Sequence, residues 1–165
     1  MPLTFRNTQA TDLATIVRIY NSTIAGRMVT ADTEPVTVES QEEWFRSHNA
    51  SNRPIWMIED EQTAVGWVSF KSFYGRPAYQ ATAEISIYLD ESCRGKGYGK
   101  QVLQYALEKC PALGIKTLLG FIFAHNEPSI KLFTALGFTE WAHLPNIAEL
   151  DGVERSLKIV GKRVA

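Results

Sequence analysis

The chain has 165 residues, 45% of them hydrophobic and 21% charged, with a formal net charge of −1. That balance fits one soluble domain over residues 1–165 with a core of its own, and gives no reason to expect nucleic acid or an anionic membrane as partner. Two cysteines and three histidines form neither a disulfide framework nor a metal-ligand spacing.

Residues 3–7 read as a first strand. Thr11 and Asp12 offer an N-cap and an early acidic residue, and Leu13, Ile16, Val17 and Tyr20 recur at helical spacing. The polar, glycine-bearing stretch to Pro35 is a loop, either one wall of a pocket or a plain surface connection. Residues 40–48 read as a second helix, opened by a Ser40–Glu43 capping box. Strands are expected at 54–59 and 64–73, joined by a turn at Gln62-Thr63. In the aromatic loop 74–79, Tyr74 and Tyr79 either line a pocket or cover the sheet edge.

In residues 83–89, Ile85, Ile87 and Leu89 alternate with Glu84, Ser86 and Tyr88, the pattern of a fourth strand. A glycine-rich basic turn leads into a helix at 99–110, with Val102, Leu103, Ala106 and Leu107 on its buried side and Pro111 ending it. Residues 117–124 form a mostly apolar strand. Asn126 caps a further helix bearing Ile130, Leu132, Phe133 and Leu136, and Gly137 suits its C-terminus. Strands at 139–144 and 156–160 flank a hairpin at Asp151-Gly152. No apolar run is long enough to span a membrane, and no signal-peptide pattern opens the chain, so a cytoplasmic location is expected.

The glycine turn carries the first chemistry. A strand, then glycines, then a helix N-terminus presents outward backbone N–H groups and a favourable dipole to a phosphate. A P-loop does not fit, because Gln101 follows Lys100 where Ser or Thr is needed, and the alternating glycines do not make a dinucleotide fingerprint. The bland reading is a tight strand-to-helix connection.

Arg94-Gly95-Lys96-Gly97-Tyr98-Gly99 instead resembles the Arg/Gln-x-x-Gly-x-Gly/Ala pyrophosphate loop of the GNAT N-acetyltransferase superfamily. Asn126-Glu-Pro-Ser129-Ile-Lys-Leu132-Phe133, running on to Gly137-Phe138, resembles the Asn-x-x-Ser helix of the same superfamily. Ile19-Tyr20-Asn21, Thr33-Glu34-Pro35, Trp44-Phe45, Tyr79 and Glu84-x-Ser86-x-Tyr88 extend the resemblance to the phosphinothricin and methionine-sulfoximine acetyltransferase branch, over nearly the whole chain.

The resemblance implies an α/β fold of the α+β kind. Its mixed central sheet has about seven strands flanked by helices, with central strands that splay to hold acetyl-CoA. The pantetheine arm would pair with backbone of Ile87, Tyr88 and Leu89. The loop Arg94, Gly95, Lys96, Gly97, Tyr98, Gly99 and Lys100 would take the pyrophosphate, with Asn126 and Phe133 contacting the arm. Glu84 is implied as the base, direct or through water, that frees the attacking amine, and burial would raise its pKa toward that task. A backbone N–H near Leu89 would steady the oxyanion. Phe133 stands where relatives carry a tyrosine or histidine and cannot donate a proton, so the thiol would leave to water. Thr30, Arg76, Ala78 and Tyr79 are implied at the acceptor, with Arg76 or Lys71 holding a carboxylate. The branch acts on small amino-acid-like amines, but Pro77 and Gln80 depart from the acidic and basic residues of its methionine-sulfoximine members. A polyamine, a protein N-terminus, or a CoA-binding module without turnover are the alternatives. A homodimer is implied as in many relatives.

Overall fold

The computed structural model describes residues 2–165. A seven-stranded mixed sheet runs through it in the order β1-β2-β3-β4-β5-β7-β6. In chain order the elements are β1 (Thr4–Asn7), α1 (Leu13–Ser22), α2 (Val38–Arg46), β2 (Ile55–Asp60), β3 (Thr63–Ser72), β4 (Thr82–Leu89), α3 (Tyr98–Lys109), β5 (Thr117–Phe123), α4 (Glu127–Ala135), β6 (Thr139–Leu150) and β7 (Val153–Arg163). Every neighbouring pair is antiparallel except β4 with β5.

Period-two alternation sorts the core into two faces. Trp56, Ile58, Val68, Phe70, Ala83 and Ile85 pack with Val102 and Leu103 of α3 and Phe133 of α4. Ile55, Met57 and Trp67 face the other way, onto Ile16 and Ile19 of α1. β2 is therefore apolar on both sides, as a covered strand must be. Trp67 fixes α1 to the sheet by donating its indole N–H to Ile16 O at 3.1 Å.

Several expected boundaries move. The capping box of α2 lies one turn earlier than Ser40–Glu43. Thr37 is the N-cap, its Oγ1 accepting from Ser40 N at 3.1 Å while Ser40 Oγ accepts from Thr37 N at 3.2 Å. Serine serves a neighbouring amide as well as glutamate does when the helix starts sooner. The β2–β3 turn falls on Glu61-Gln62, both with positive φ, rather than Gln62-Thr63. β6 and β7 run well past the short strands expected. Pro145 reads as a stop, but β6 is an edge strand, and the register slips between Leu144 and Ala148. A missing N–H there interrupts no inner ladder.

Candidate active site

The site begins where the sheet opens. β4 and β5 pair for only three residues, from Thr82↔Thr117 to Glu84↔Leu119. Beyond that point β4 stays with β3 as far as Leu89↔Gly66, and β5 stays with β7 as far as Phe123↔Leu157. Phe133 of α4 lies against Gly120 at the start of the gap; a Cβ on Gly120 would sit 2.8 Å from its ring.

Backbone alternation decides which groups face the gap. Thr82 O accepts from Phe73 N at 3.1 Å, and Asp90 N donates to Val65 O at 2.8 Å, so the even-numbered residues turn toward β3. Ala81 O accepts from Lys116 N and Thr117 N on the β5 side. Ile87 and Leu89, past the last β4–β5 pair, therefore direct their N–H and C=O groups into the gap, where β5 offers no partner. Such an edge takes an extended ligand as it would take a strand.

At the end of β4 the chain turns into α3. Gly95 and Gly97 have φ of +77° and +74°, the left-handed region that glycine enters without strain. A Cβ on either would meet no protein atom within 4 Å, so the loop opens outward. Thr37 caps α2 and Asn126 caps α4, but no side chain caps α3, whose N-cap is Gly97. Its first N–H groups are left for an anion, with Arg94 and Lys96 alongside. Tyr98, buried at the first turn, donates its hydroxyl to Asp60 and ties α3 to the end of β2.

The segment between α1 and α2 supplies another wall. Arg27 donates to Asp151, in the β6–β7 turn, from Nε at 2.8 Å and Nη2 at 3.2 Å. His125 Nε2 meets Arg27 O at 2.8 Å, and Asn126 Nδ2 donates to Met28 O at 3.1 Å. The other end of the Asn126 amide accepts from Ser129 N at 3.3 Å, so this one buried side chain caps α4 and holds the segment in place. Buried Thr30 bonds the Tyr20 hydroxyl, which donates in turn to Asp32. Together these elements enclose a cavity of about 930 Å³.

Glu84 stands directly across from Lys71 in the β3–β4 register, on the α1–α2 face of the sheet. Both line the main cavity and a second one of about 200 Å³ beneath α1 and α2. Burial raises the Glu84 carboxyl above its ordinary value of 4.5, with the Lys71 charge pulling the other way. Burial also pushes Tyr88 up to about 12 and raises Tyr20 further still, with Asp32 adding to the latter. A half-buried carboxyl that titrates high, in a cleft, is placed to accept a proton from an ammonium group.

Glu84, Ile87, Tyr88, Leu89, Arg94, Gly95, Lys96, Gly97, Tyr98, Gly99, Asn126, Phe133 and Thr30 all line the main cavity. Lys100 does not; it lies on the exposed side of the first turn of α3. Nor do Arg76, Ala78 and Tyr79 line either cavity. Residues Pro77–Tyr79 form a 3-10 turn on the surface, and Tyr79, 43% exposed, packs edge-on against Phe73 and Tyr74. Lys71 is the cation beside Glu84 instead. Its sequence signal is a charge closing the apolar run of β3. Asp32 sits in an irregular loop and left no signal.

Residues 16–138 match the acetyltransferase (GNAT) family. The chain is 56% identical over 164 residues to the Bacillus subtilis protein named "putative phosphinothricin acetyltransferase YwnH", covering 99% of this chain and 100% of that one. It is 28% identical to the L-methionine sulfoximine/L-methionine sulfone acetyltransferase of Pseudomonas aeruginosa, over 92% of this chain and 89% of that protein. A phosphinothricin acetyltransferase from Sinorhizobium meliloti, solved in complex with acetyl-CoA, superposes with a TM-score of 0.91 at 27% identity, over 99% of this chain and 89% of that one.

Proposed function

The chain belongs to the acetyltransferase (GNAT) family, and from that premise we propose that it moves acetyl from acetyl-CoA to the primary amine of a free amino acid or close analogue, with Glu84 as the base. The observation that carries this reading is the junction at Glu84: a raised carboxyl between a backbone gap suited to an extended arm and a smaller side cavity.

Acetyl-CoA fits what the chain presents. Its pyrophosphate suits the uncapped start of α3 with Arg94 and Lys96, where Gly95 and Gly97 leave room for the anion's oxygens. Its extended arm suits the N–H and C=O groups of Ile87 and Leu89. Acetyl-CoA supplies a thioester whose carbonyl carbon an uncharged amine can attack.

The side chains supply the rest. An α-ammonium group at neutral pH must lose a proton before it attacks. Glu84 takes that proton, directly or through a water, and a higher pKa makes it a stronger acceptor. The Leu89 N–H, pointing into the gap, donates to the carbonyl oxygen where charge gathers. Phe133 holds no proton, so the leaving thiolate is protonated from water; with a thiol pKa of about 8.5 that demand is small.

The test is thiol release from acetyl-CoA with amino acids, methionine sulfone, methionine sulfoximine, phosphinothricin and polyamines as acceptors. Release with amino-acid acceptors, reduced about 100-fold or more in Glu84→Gln, is the expected result. Release confined to polyamines would overturn the acceptor assignment, and full activity in Glu84→Gln would overturn the base.

A further inference from the structure

The second cavity has an unusual lining. Tyr20, Lys71, Glu84, Ser86 and Tyr88 border both cavities, so the small one opens off the large one beside the proposed base. Its walls are aromatic: Trp67 stacks on Tyr88 at 4.7 Å, and Trp44 meets Trp67 edge-on at 5.4 Å. Gln41, Ser69 and Ser86 add neutral hydrogen-bonding groups. Lys71 is the one cation among its lining residues. Among the described residues it makes no ion pair, so its ammonium is free to take an anion.

Charge counting then limits the ligand. Around this junction stand one ammonium, Lys71, and two carboxylates, Glu84 and Asp32. Arg94 and Lys96 cannot serve here. Glu84 and Leu89 stand five strand steps apart, about 17 Å, and both basic residues follow only in the loop after that far end of β4. A zwitterion with one amine and one carboxylate matches Glu84 and Lys71. A second anion on the acceptor would find aromatic rings and neutral amide or hydroxyl groups but no cation, with Asp32 nearby to repel it.

We propose that Lys71 binds the acceptor's α-carboxylate and that the aromatic cavity beneath α1 and α2 receives its side chain, so that the enzyme selects amino acids with an uncharged side chain over phosphinothricin, which carries a phosphinate besides its carboxylate. This rests on the acetyl-transfer reading above and deepens it to a substrate class. It also assigns Lys71, on β3, the recognition role for which Arg76 lies too far out.

The experiment compares acceptors in pairs with the wild type, Lys71→Met and Lys71→Arg. L-Methionine sulfone is set against phosphinothricin, and L-methionine sulfone against its carboxamide, which lacks the anion. Wild type is expected to favour methionine sulfone in both pairs by about tenfold or more in kcat/KM, the scale of one charged hydrogen bond. Lys71→Met should erase the preference for the free acid over the amide, mainly through KM, and Lys71→Arg should keep it. Acetyl-CoA binding, followed by thermal shift, establishes that each variant is folded. Preference for phosphinothricin, or an acid-over-amide preference that survives Lys71→Met, would overturn the inference while leaving acetyl transfer standing. Absence of thiol release with every acceptor would overturn both.

Discussion

Glu84 is an expensive residue in this fold. It shares a face with Trp67 and Tyr88 and stands across from Lys71, and burial favours its neutral form. The sign of the resulting pH dependence follows from linkage. Below its unfolded pKa the group is neutral in both states and costs nothing. As pH rises past 4.5 the unfolded chain ionises first, so stability falls until the pH has passed the raised folded value. Glu84→Gln should therefore melt higher than wild type at pH 7, with the difference vanishing below about pH 4. Thermal melts across that range would show it, and a variant no more stable at pH 7 would mean that Glu84 is not desolvated. The acid limb of wild-type kcat/KM should likewise have its midpoint above 4.5 and disappear in Glu84→Gln. At this scale the sequence spoke through motifs: Glu84, the glycine loop, Asn126 and Phe133 all reach one cavity. The resemblance puts Arg76, Ala78 and Tyr79 at the acceptor, but nothing in these residue types reveals that residues 77–79 curl into a surface turn.

Among the elements, β4 and α3 carry the most consequence, and both were legible because their signals are local. Alternation marks β4 from the residues alone, and the same alternation makes a residue-by-residue prediction about its backbone. The amides of Ser86 and Tyr88 face β3 and should exchange slowly with solvent at all times. Those of Ile87 and Leu89 face the gap and should gain protection only when acetyl-CoA binds. Amide exchange resolved by NMR would read this directly; equal protection of all four without ligand would mean that the gap is closed. For α3, Gly97→Asp puts a carboxylate at the uncapped N-terminus and a side chain at a φ of +74°. The strain costs about 1 kcal/mol, which a folded protein survives. Loss of acetyl-CoA binding from a folded Gly97→Asp protein is expected, and retained binding would remove the pyrophosphate from this loop. The lengths of β6 and β7 were hidden for a different reason. Pro145 reads locally as a terminator, and only the position of β6 at the sheet edge makes it tolerable.

Over the whole molecule, the sheet is two partial sheets joined by little backbone. β1 to β4 form one and β5 to β7 the other, with three residue pairs between them and a shared core beneath. No local pattern announces this division, because it depends on β7 inserting between β5 and β6, a pairing across distant parts of the chain. A ligand lying in the gap would touch both partial sheets and the segment 28–32, and would stabilise their arrangement by mass action. At a hundredfold excess over Kd the gain is about 2.7 kcal/mol, which for a chain of this length corresponds to a rise in Tm of roughly 5–10 °C. Arg27 tests whether the segment takes part. Its partner Asp151 is exposed in the β6–β7 turn, and a pair open to solvent on one side should contribute little to the free protein. Arg27→Ala is therefore expected to leave the melting temperature without ligand nearly unchanged. It should nonetheless shrink the rise that acetyl-CoA produces, because a wall of the cavity must then be ordered at the moment of binding. An undiminished rise would mean that His125 and Asn126 hold the segment without help from the hairpin.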